Sequence, residues 1–327
     1  MWNAVIGLSI IAVAIAGAAT KKSVTLLTFD VDGTLVQGSS EAASRSVHSR
    51  AFNHAVSKVY NDDRVAELGH PLAVIPSEKF HGSTDGLISL NLAKFGLDLD
   101  TSVTFPLLQS VFEEMHAFVA SHTDAEVSEG IQALPGVITT LEQLAAIQRS
   151  EGNILCGLVT GNVEGIARKK MRAVGVLQTN ALSPASEEQL ERTWHKEDDC
   201  AFLGGFGSDF CSGDLEDTTR NWKDRGEQIL IAVRRAQSML DPETHTLERV
   251  VHIGDAVADV KAATHARASL GEEICVGVVG VCTGKWKFAD LEAEMGTHLP
   301  GYYEPVILED GINDPAFISH CLPDPFK

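Results

Sequence analysis

Val24-Thr25-Leu26-Leu27-Thr28-Phe29-Asp30-Val31-Asp32-Gly33-Thr34 is the stretch that decides how the rest of the chain reads. Val24 to Phe29 is short, apolar and β-branched, with no in-out polar alternation. A run of that kind is buried on both faces, as strands of a parallel sheet are. It stops at two carboxylates, Asp30 and Asp32, and Gly33-Thr34 is a turn signal directly after them. A carboxylate at a strand tip is placed to act as nucleophile and metal ligand. The next can swing to protonate a leaving group, with its backbone carbonyl on the metal. Gly33 permits the tight turn, and Thr34 offers a hydroxyl to a phosphate.

Outward from this strand the same texture recurs. Asn153–Thr160, Val250-Val251-His252-Ile253 within Arg249–Gly254, and Ile274–Val281 read as further buried strands. Between them lie helical patterns. One opens at Leu134-Pro135-Gly136-Val137 and runs to Arg149, and the others span Val163–Val174, Gln228–Leu240 and Asp259–Ala268. Strands alternating with helices predict an α/β fold built on a doubly wound parallel sheet with right-handed crossovers. In such sheets ligands bind at the carboxyl ends of the strands. From about Ser39 to Gly130 the texture is helical instead, with patterns at Ala42–Tyr60, Thr84–Phe95 and Phe105–Ser121 separated by Gly, Pro, Asn and Asp. The expected division is a leader over 1–22, an α/β core over 23–36 and 131–327, and a helical insertion over 37–130. Residues 178–224 read as acidic and loop-rich apart from an apolar patch around Ala201–Phe206.

Three strand ends carry matching chemistry. The first holds Asp30 and Asp32, the second Thr160-Gly161-Asn162, and the third Gly254-Asp255-Ala256-Val257-Ala258-Asp259. Asp255 ends its strand and Asp259 lies one turn on, at the start of a helix, so both can face one cation. Carboxylates and carbonyls without His or Cys suit a hard cation such as Mg²⁺. The second motif supplies a hydroxyl and backbone N–H groups at a helix N-terminus, where an anion is favoured.

In this order, and each after a hydrophobic strand, the motifs resemble those of the haloacid dehalogenase superfamily, in its phosphatase branch with a helical cap. The resemblance spans roughly 24–290 and rests on DVDGTLV at 30–36, TGN at 160–162 and GDAVADV at 254–260. Within the insertion, His81-Gly82-Ser83-Thr84-Asp85 is similar to a cap segment of phosphoglycolate-phosphatase-like members. The resemblance implies a Rossmann-like core with an inserted cap. It implies that Asp30 attacks phosphorus to form an aspartyl-phosphate, and that Asp32 protonates the leaving alcohol and then activates water. It implies Mg²⁺ held by Asp30, the Asp32 carbonyl and Asp255, with Asp259 acting through water. Thr160 and the Gly161 and Asn162 amides would bind phosphoryl oxygens, and His81 would face the substrate from the cap. The family's basic partner of the phosphoryl group is often a Lys before Pro, and no Lys-Pro exists here. Lys170 and Arg225 are equal candidates for that role.

Composition narrows the partners. With 26 basic against 45 acidic residues the formal net charge is −19, which repels nucleic acid and anionic lipid. The expected partner is a small phosphorylated metabolite. The six cysteines lack disulfide-framework or metal-site spacing, and Cys156 and Cys275 read as small buried hydrophobes in strands. Ala4 to Ala19 is uncharged and apolar or small, and is followed by Lys21 and Lys22. It is short for a span and reads as a targeting or membrane-anchoring segment, secretory or organellar; without that role the protein would be cytoplasmic. Two competing chemistries share the Asp30 nucleophile. Dehalogenation needs neither metal nor an acid at position 32, so Asp32, Asp255 and Asp259 argue against it. A phosphomutase is closer, and a catalytically inactive binding protein would not need the intact set.

Overall fold

The computed structural model describes residues 21–38, 46–182, 203–298 and 305–322. Residues 1–20 of the segment read as a leader, the start of the helix predicted from Ala42, and residues 187–199 of the acidic stretch lie outside them. Among the described residues no helix is long and apolar enough to cross a membrane.

The described residues form eight strands. They are β1 (Lys22–Phe29), β2 (Val36–Gly38), β3 (Ile131–Ala133), β4 (Ile154–Thr160), β5 (Gly204–Phe206), β6 (His245–Gly254), β7 (Cys275–Val281) and β8 (Val306–Leu308). Six form one sheet in the order β5-β4-β1-β6-β7-β8, every neighbour pair parallel. The chain steps from β1 outward to β4 and β5, then returns past β1 to β6, β7 and β8. That reversal beside β1 is the switch point at which α/β sheets open a crevice. It brings the carboxyl ends of β4, β1 and β6 side by side.

The sheet is buried on both faces, which is why its strands read as continuous apolar runs. Leu27 and Phe29 pack into one cluster with Leu141 and Leu144 of the helix Val137–Glu151 and with Phe317. Val24 and Leu26, alternate in sequence, enter the other cluster with Ile229, Val233 and Ala263. The main helices, in chain order, are α1 (Val47–Tyr60), α2 (Asp85–Leu97), α3 (Leu108–Ala120), α4 (Val137–Glu151), α5 (Glu164–Ala173), α6 (Arg220–Met239), α7 (Val257–Leu270) and α8 (Phe288–His298). Helices α1–α3 build a third cluster around Phe52, Leu90, Leu92 and Met115, and the core helix α5 shares it through Val163, at its N-cap, and Ile166. β2 and β3 pair antiparallel, Val36 opposite Ala133 and Gly38 opposite Ile131. The chain therefore enters and leaves this helical segment through one two-stranded ribbon.

Three expectations are corrected. α6 begins at Arg220, not at Gln228. Its first two turns are polar and hide their apolar period, so Arg225 lies inside the helix, not ahead of it. β5 was read only as an apolar patch, because two of its three residues are glycine. Those glycines are required by packing: a Cβ on Gly205 would sit 1.9 Å from the Gln228 carbonyl oxygen of α6, and one on Gly204 2.3 Å from that of Leu158. Cys275 is half-buried at the start of β7, whereas Cys156 is fully buried.

Candidate active site

Asp30 follows β1 immediately and is 4% exposed. Its own N–H donates to the Ile253 carbonyl of β6 at 2.9 Å, which ties the strand exit to its neighbour. Asp255 follows β6, and Asp259 lies in the first turn of α7. Oxygens of Asp30, Asp255 and Asp259 lie within 4.8 Å of one another, and all three residues are buried. Arg225 reaches this cluster from α6. Its Nη1 is 3.5 Å from Asp30 Oδ2 and pairs closely with Asp259 Oδ1.

One guanidinium against three carboxylates leaves an excess of negative charge in a buried place. Burial, together with the charges of Asp259 and Asp32, pushes the Asp30 carboxyl up to about 7 even though Arg225 opposes the shift. Burial and repulsion from Asp259 and Asp30 raise Asp255 well above the usual carboxylate range. Asp259 goes the other way: burial raises it, but Arg225 and His252 overcome that and hold it low. His252, fully buried in β6, contacts Asp259 Oδ1 at 3.3 Å and Thr28 Oγ1 at 3.1 Å, so it aims Asp259. The other Asp259 oxygen accepts from the Ala256 N–H at 3.0 Å. Asp259 is thus engaged at both oxygens, while Asp30 and Asp255 keep oxygens facing the cavity. This all-oxygen, electron-rich, partly protonated set fits a hard divalent cation.

Gly33 makes room for Asp255. It has φ +92°, and a Cβ there would lie 2.5 Å from the Asp255 carboxyl carbon. Gly284 closes the other side, where a Cβ would meet Asp255 Oδ2 at 1.7 Å.

Asp32 belongs to a second group. Lys170 Nζ, from α5, donates to its two oxygens at 2.9 and 2.8 Å, and Asn162 Nδ2 donates at 3.0 Å. Asn162 Oδ1 in turn accepts from Lys170 at 2.8 Å. Partial desolvation raises the Asp32 pKa, but the charges of Lys170 and His48 and the hydrogen bonds from Lys170 and Asn162 together outweigh it and bring the carboxyl down to about 2. The two basic candidates therefore divide the work: Arg225 faces the nucleophile position, and Lys170 faces Asp32. Thr160 Oγ1 accepts from the Asn162 N–H at 3.3 Å and from its side chain at 3.0 Å, fixing the loop of the second motif.

A cavity of about 570 Å³ opens over these groups, lined by Asp30, Asp32, Gly33, Gly161, Asn162, Lys170, Arg225 and Asp255. His81 lines it too, from the helical segment. Thr34 does not. It is 1% exposed and its hydroxyl has no partner among the described residues, so the structure does not bring it to the cavity. The turn at Gly33 directs Thr34 into the protein. Sequence reasoning missed His48, His70, Lys285 and Trp286, which also line the cavity. His48 sits in an amphipathic helix and carried no motif. Lys285 and Trp286 follow β7, whose carboxyl end marked no carboxylate.

The family model "Hydrolase: haloacid dehalogenase-like hydrolase" matches residues 24–267. The chain matches no curated protein. Among solved structures, a haloacid dehalogenase-like family hydrolase from Streptococcus pneumoniae is similar at 15% identity and a TM-score of 0.38, over 88% of this chain and 95% of that one. A protein provisionally named a phosphoglycolate phosphatase, from Lactobacillus delbrueckii subsp. bulgaricus, has 14% identity and a TM-score of 0.38, over 89% and 96% of the two chains. The L-2-haloacid dehalogenase of Xanthobacter autotrophicus with chloropropionic acid covalently bound has 12% identity and a TM-score of 0.35, over 89% and 96%.

Proposed function

The chain belongs to the haloacid dehalogenase-like hydrolases, and from the chemistry of its site we propose that it is a Mg²⁺-dependent phosphomonoesterase that works through an aspartyl-phosphate on Asp30. The observation that carries this reading is the convergence of Asp30, Asp255 and Asp259 within 4.8 Å, with Arg225 beside Asp30. A dehalogenase has no use for the additional pair of carboxylates or for an acid at position 32.

Asp30 and Asp255, with the backbone carbonyl of Asp32, would hold Mg²⁺, and Asp259, whose oxygens are both engaged, would act through water. Bound there, Mg²⁺ supplies positive charge that offsets the phosphoryl oxygens. The chain's own groups do the rest. An Asp30 oxygen bonds to phosphorus as the bond to the leaving oxygen breaks. Arg225 balances charge on the nucleophile and on the transferred group, and the Gly161 and Asn162 amides receive phosphoryl oxygens. Asp32, held deprotonated by Lys170 at rest, takes up a proton from solvent as it leaves that ion pair and gives it to the leaving oxygen. As a carboxylate it then takes a proton from the water that cleaves the acyl-phosphate, returning Asp30. Residues 37–130 act as a cap over this chamber and exclude bulk water.

The reading is tested by phosphate release from p-nitrophenyl phosphate and from a panel of phosphorylated glycolate, sugars and nucleotides, with Mg²⁺ or with EDTA. Release that requires Mg²⁺ is the expected result. Undiminished release in EDTA overturns the reading, and return of phosphate to another carbon of the same sugar makes the protein a mutase.

A pH dependence follows from the site. Below pH of about 7 Asp30 holds a proton, which a cation must displace. Mg²⁺ affinity should therefore rise as pH increases toward 7, and binding should release protons. Calorimetry of Mg²⁺ binding in buffers of different ionisation enthalpy measures this directly.

A further inference from the structure

Asp85 carries no role in the mechanism above, yet it joins the helical segment to the phosphate loop. It is 3% exposed at the start of α2. Its backbone N–H donates to the Gly161 carbonyl at 2.8 Å. Its carboxylate Oδ2 accepts from the Val163 N–H at 2.8 Å and contacts His48 Nε2 of α1 at 3.0 Å. Gly161 must be glycine for this contact, since a Cβ there would lie 2.9 Å from the Ser83 carbonyl oxygen and 3.0 Å from the Thr84 Cα.

Val163 is the N-cap residue of α5 and gives that helix no side-chain cap. Helix starts leave N–H groups that need an acceptor, and a carboxylate there also opposes the positive end of the helix dipole. Asp85 supplies both from a distant part of the chain. The helix it caps carries Lys170, which positions Asp32, and the loop it holds carries the amides expected to receive phosphoryl oxygens.

Resting on the phosphatase reading, we propose that Asp85 is a positioning residue: it clamps the 161–163 loop and the start of α5, so that the phosphate amides and the Lys170–Asp32 pair are assembled only while the cap is docked. His48 holds the carboxylate from α1, so two cap helices and the phosphate loop form one mechanical unit. The alternative is that Asp85 serves only the first turn of its own helix, in which case its loss lowers stability and leaves turnover alone.

The test uses the full chain with p-nitrophenyl phosphate and Mg²⁺, and follows hydrogen exchange over the 161–165 segment. Asp85→Ala is expected to lower kcat by about tenfold to a hundredfold, as small misplacements of catalytic groups do, with KM within about threefold of the parent. Exchange at Val163 should become faster. Asp85→Asn, which keeps an acceptor for the Val163 N–H, should recover most of kcat and protection. Where Asp85→Ala is too unstable to purify, Asp85→Ser removes the reach to Val163 while keeping a polar first turn, and should behave as Asp85→Ala was expected to. Unchanged kcat, a rise in KM alone, unchanged exchange at Val163, or an Asp85→Asn protein as impaired as Asp85→Ala overturns the proposal. A parent with no Mg²⁺-dependent activity defeats the phosphatase reading instead, while the exchange measurement still decides the clamp.

Discussion

Asp30→Asn is expected to lower phosphomonoester turnover by at least about 10⁴-fold, the scale seen when an enzyme loses its nucleophile. The amide has nearly the same shape, so the loss is chemical and not steric. A stability measurement separates the two. Burial lifts the Asp30 carboxyl from 3.8 to about 7, so its ionised form is disfavoured in the folded protein. The stability of the protonated state is fully present below pH of about 4 and is lost as pH rises through 7. Asparagine cannot ionise and escapes that loss. In EDTA the variant should therefore melt at the same temperature as the parent near pH 4 and at a higher one at pH 8. Inactivity together with this pH-dependent gain shows that the loss is chemical, and inactivity with a lower melting temperature at both pH values shows that it is structural.

Arg225→Ala should have the next largest effect, because this residue alone among the two basic candidates faces Asp30. Removing a charge that stabilises the transferring group costs about 10²–10³-fold in turnover. It also strips the only guanidinium from a cluster of buried carboxylates. Breaking such a pair typically costs about 3–5 kcal/mol, and Mg²⁺ should restore part of that by taking over the countercharge. Arg225→Lys keeps the charge but not the planar fork, so it should recover stability more fully than activity. Lys170→Ala should do less than Arg225→Ala, since Lys170 contacts Asp32, whose side chain is 52% exposed and can be solvated in its place. The reverse order, with Lys170 the more damaging loss, would reassign the basic partner. Turnover and thermal melts with and without Mg²⁺ give both quantities.

Much of this was legible because it is local. A strand buried on both faces announces itself as an apolar run, and a carboxylate at its end announces the rim of the sheet. Val24–Phe29, Asn153–Thr160 and Arg249–Gly254 were found that way, and with them Asp30, Thr160 and Asp255. β5 was not, because Gly204 and Gly205 are required by the closeness of Leu158 on β4 and of Gln228 on α6, and they suppress the strand signal. The choice between Lys170 and Arg225 was also out of reach. Both lie in helices near the site, and only the packing of α5 and α6 on the sheet decides which carboxylate each meets. Thr34 is the opposite case, a residue assigned to phosphate binding by its motif whose side chain is buried beside the bend at Gly33. Asp85 stood inside a segment already singled out, but its partners lie on Gly161 and Val163, a contact that exists only once the helical segment is folded onto the core.

The central claim is that Asp30 becomes phosphorylated, and covalent capture tests it most directly. The enzyme is mixed with Mg²⁺ and p-nitrophenyl phosphate, quenched in acid during turnover, reduced with borohydride and mapped by peptide mass spectrometry. The account predicts homoserine at position 30, the reduction product of an aspartyl-phosphate, and none at Asp32, Asp255 or Asp259. Turnover without modification at Asp30, or a captured group on another residue, would contradict it.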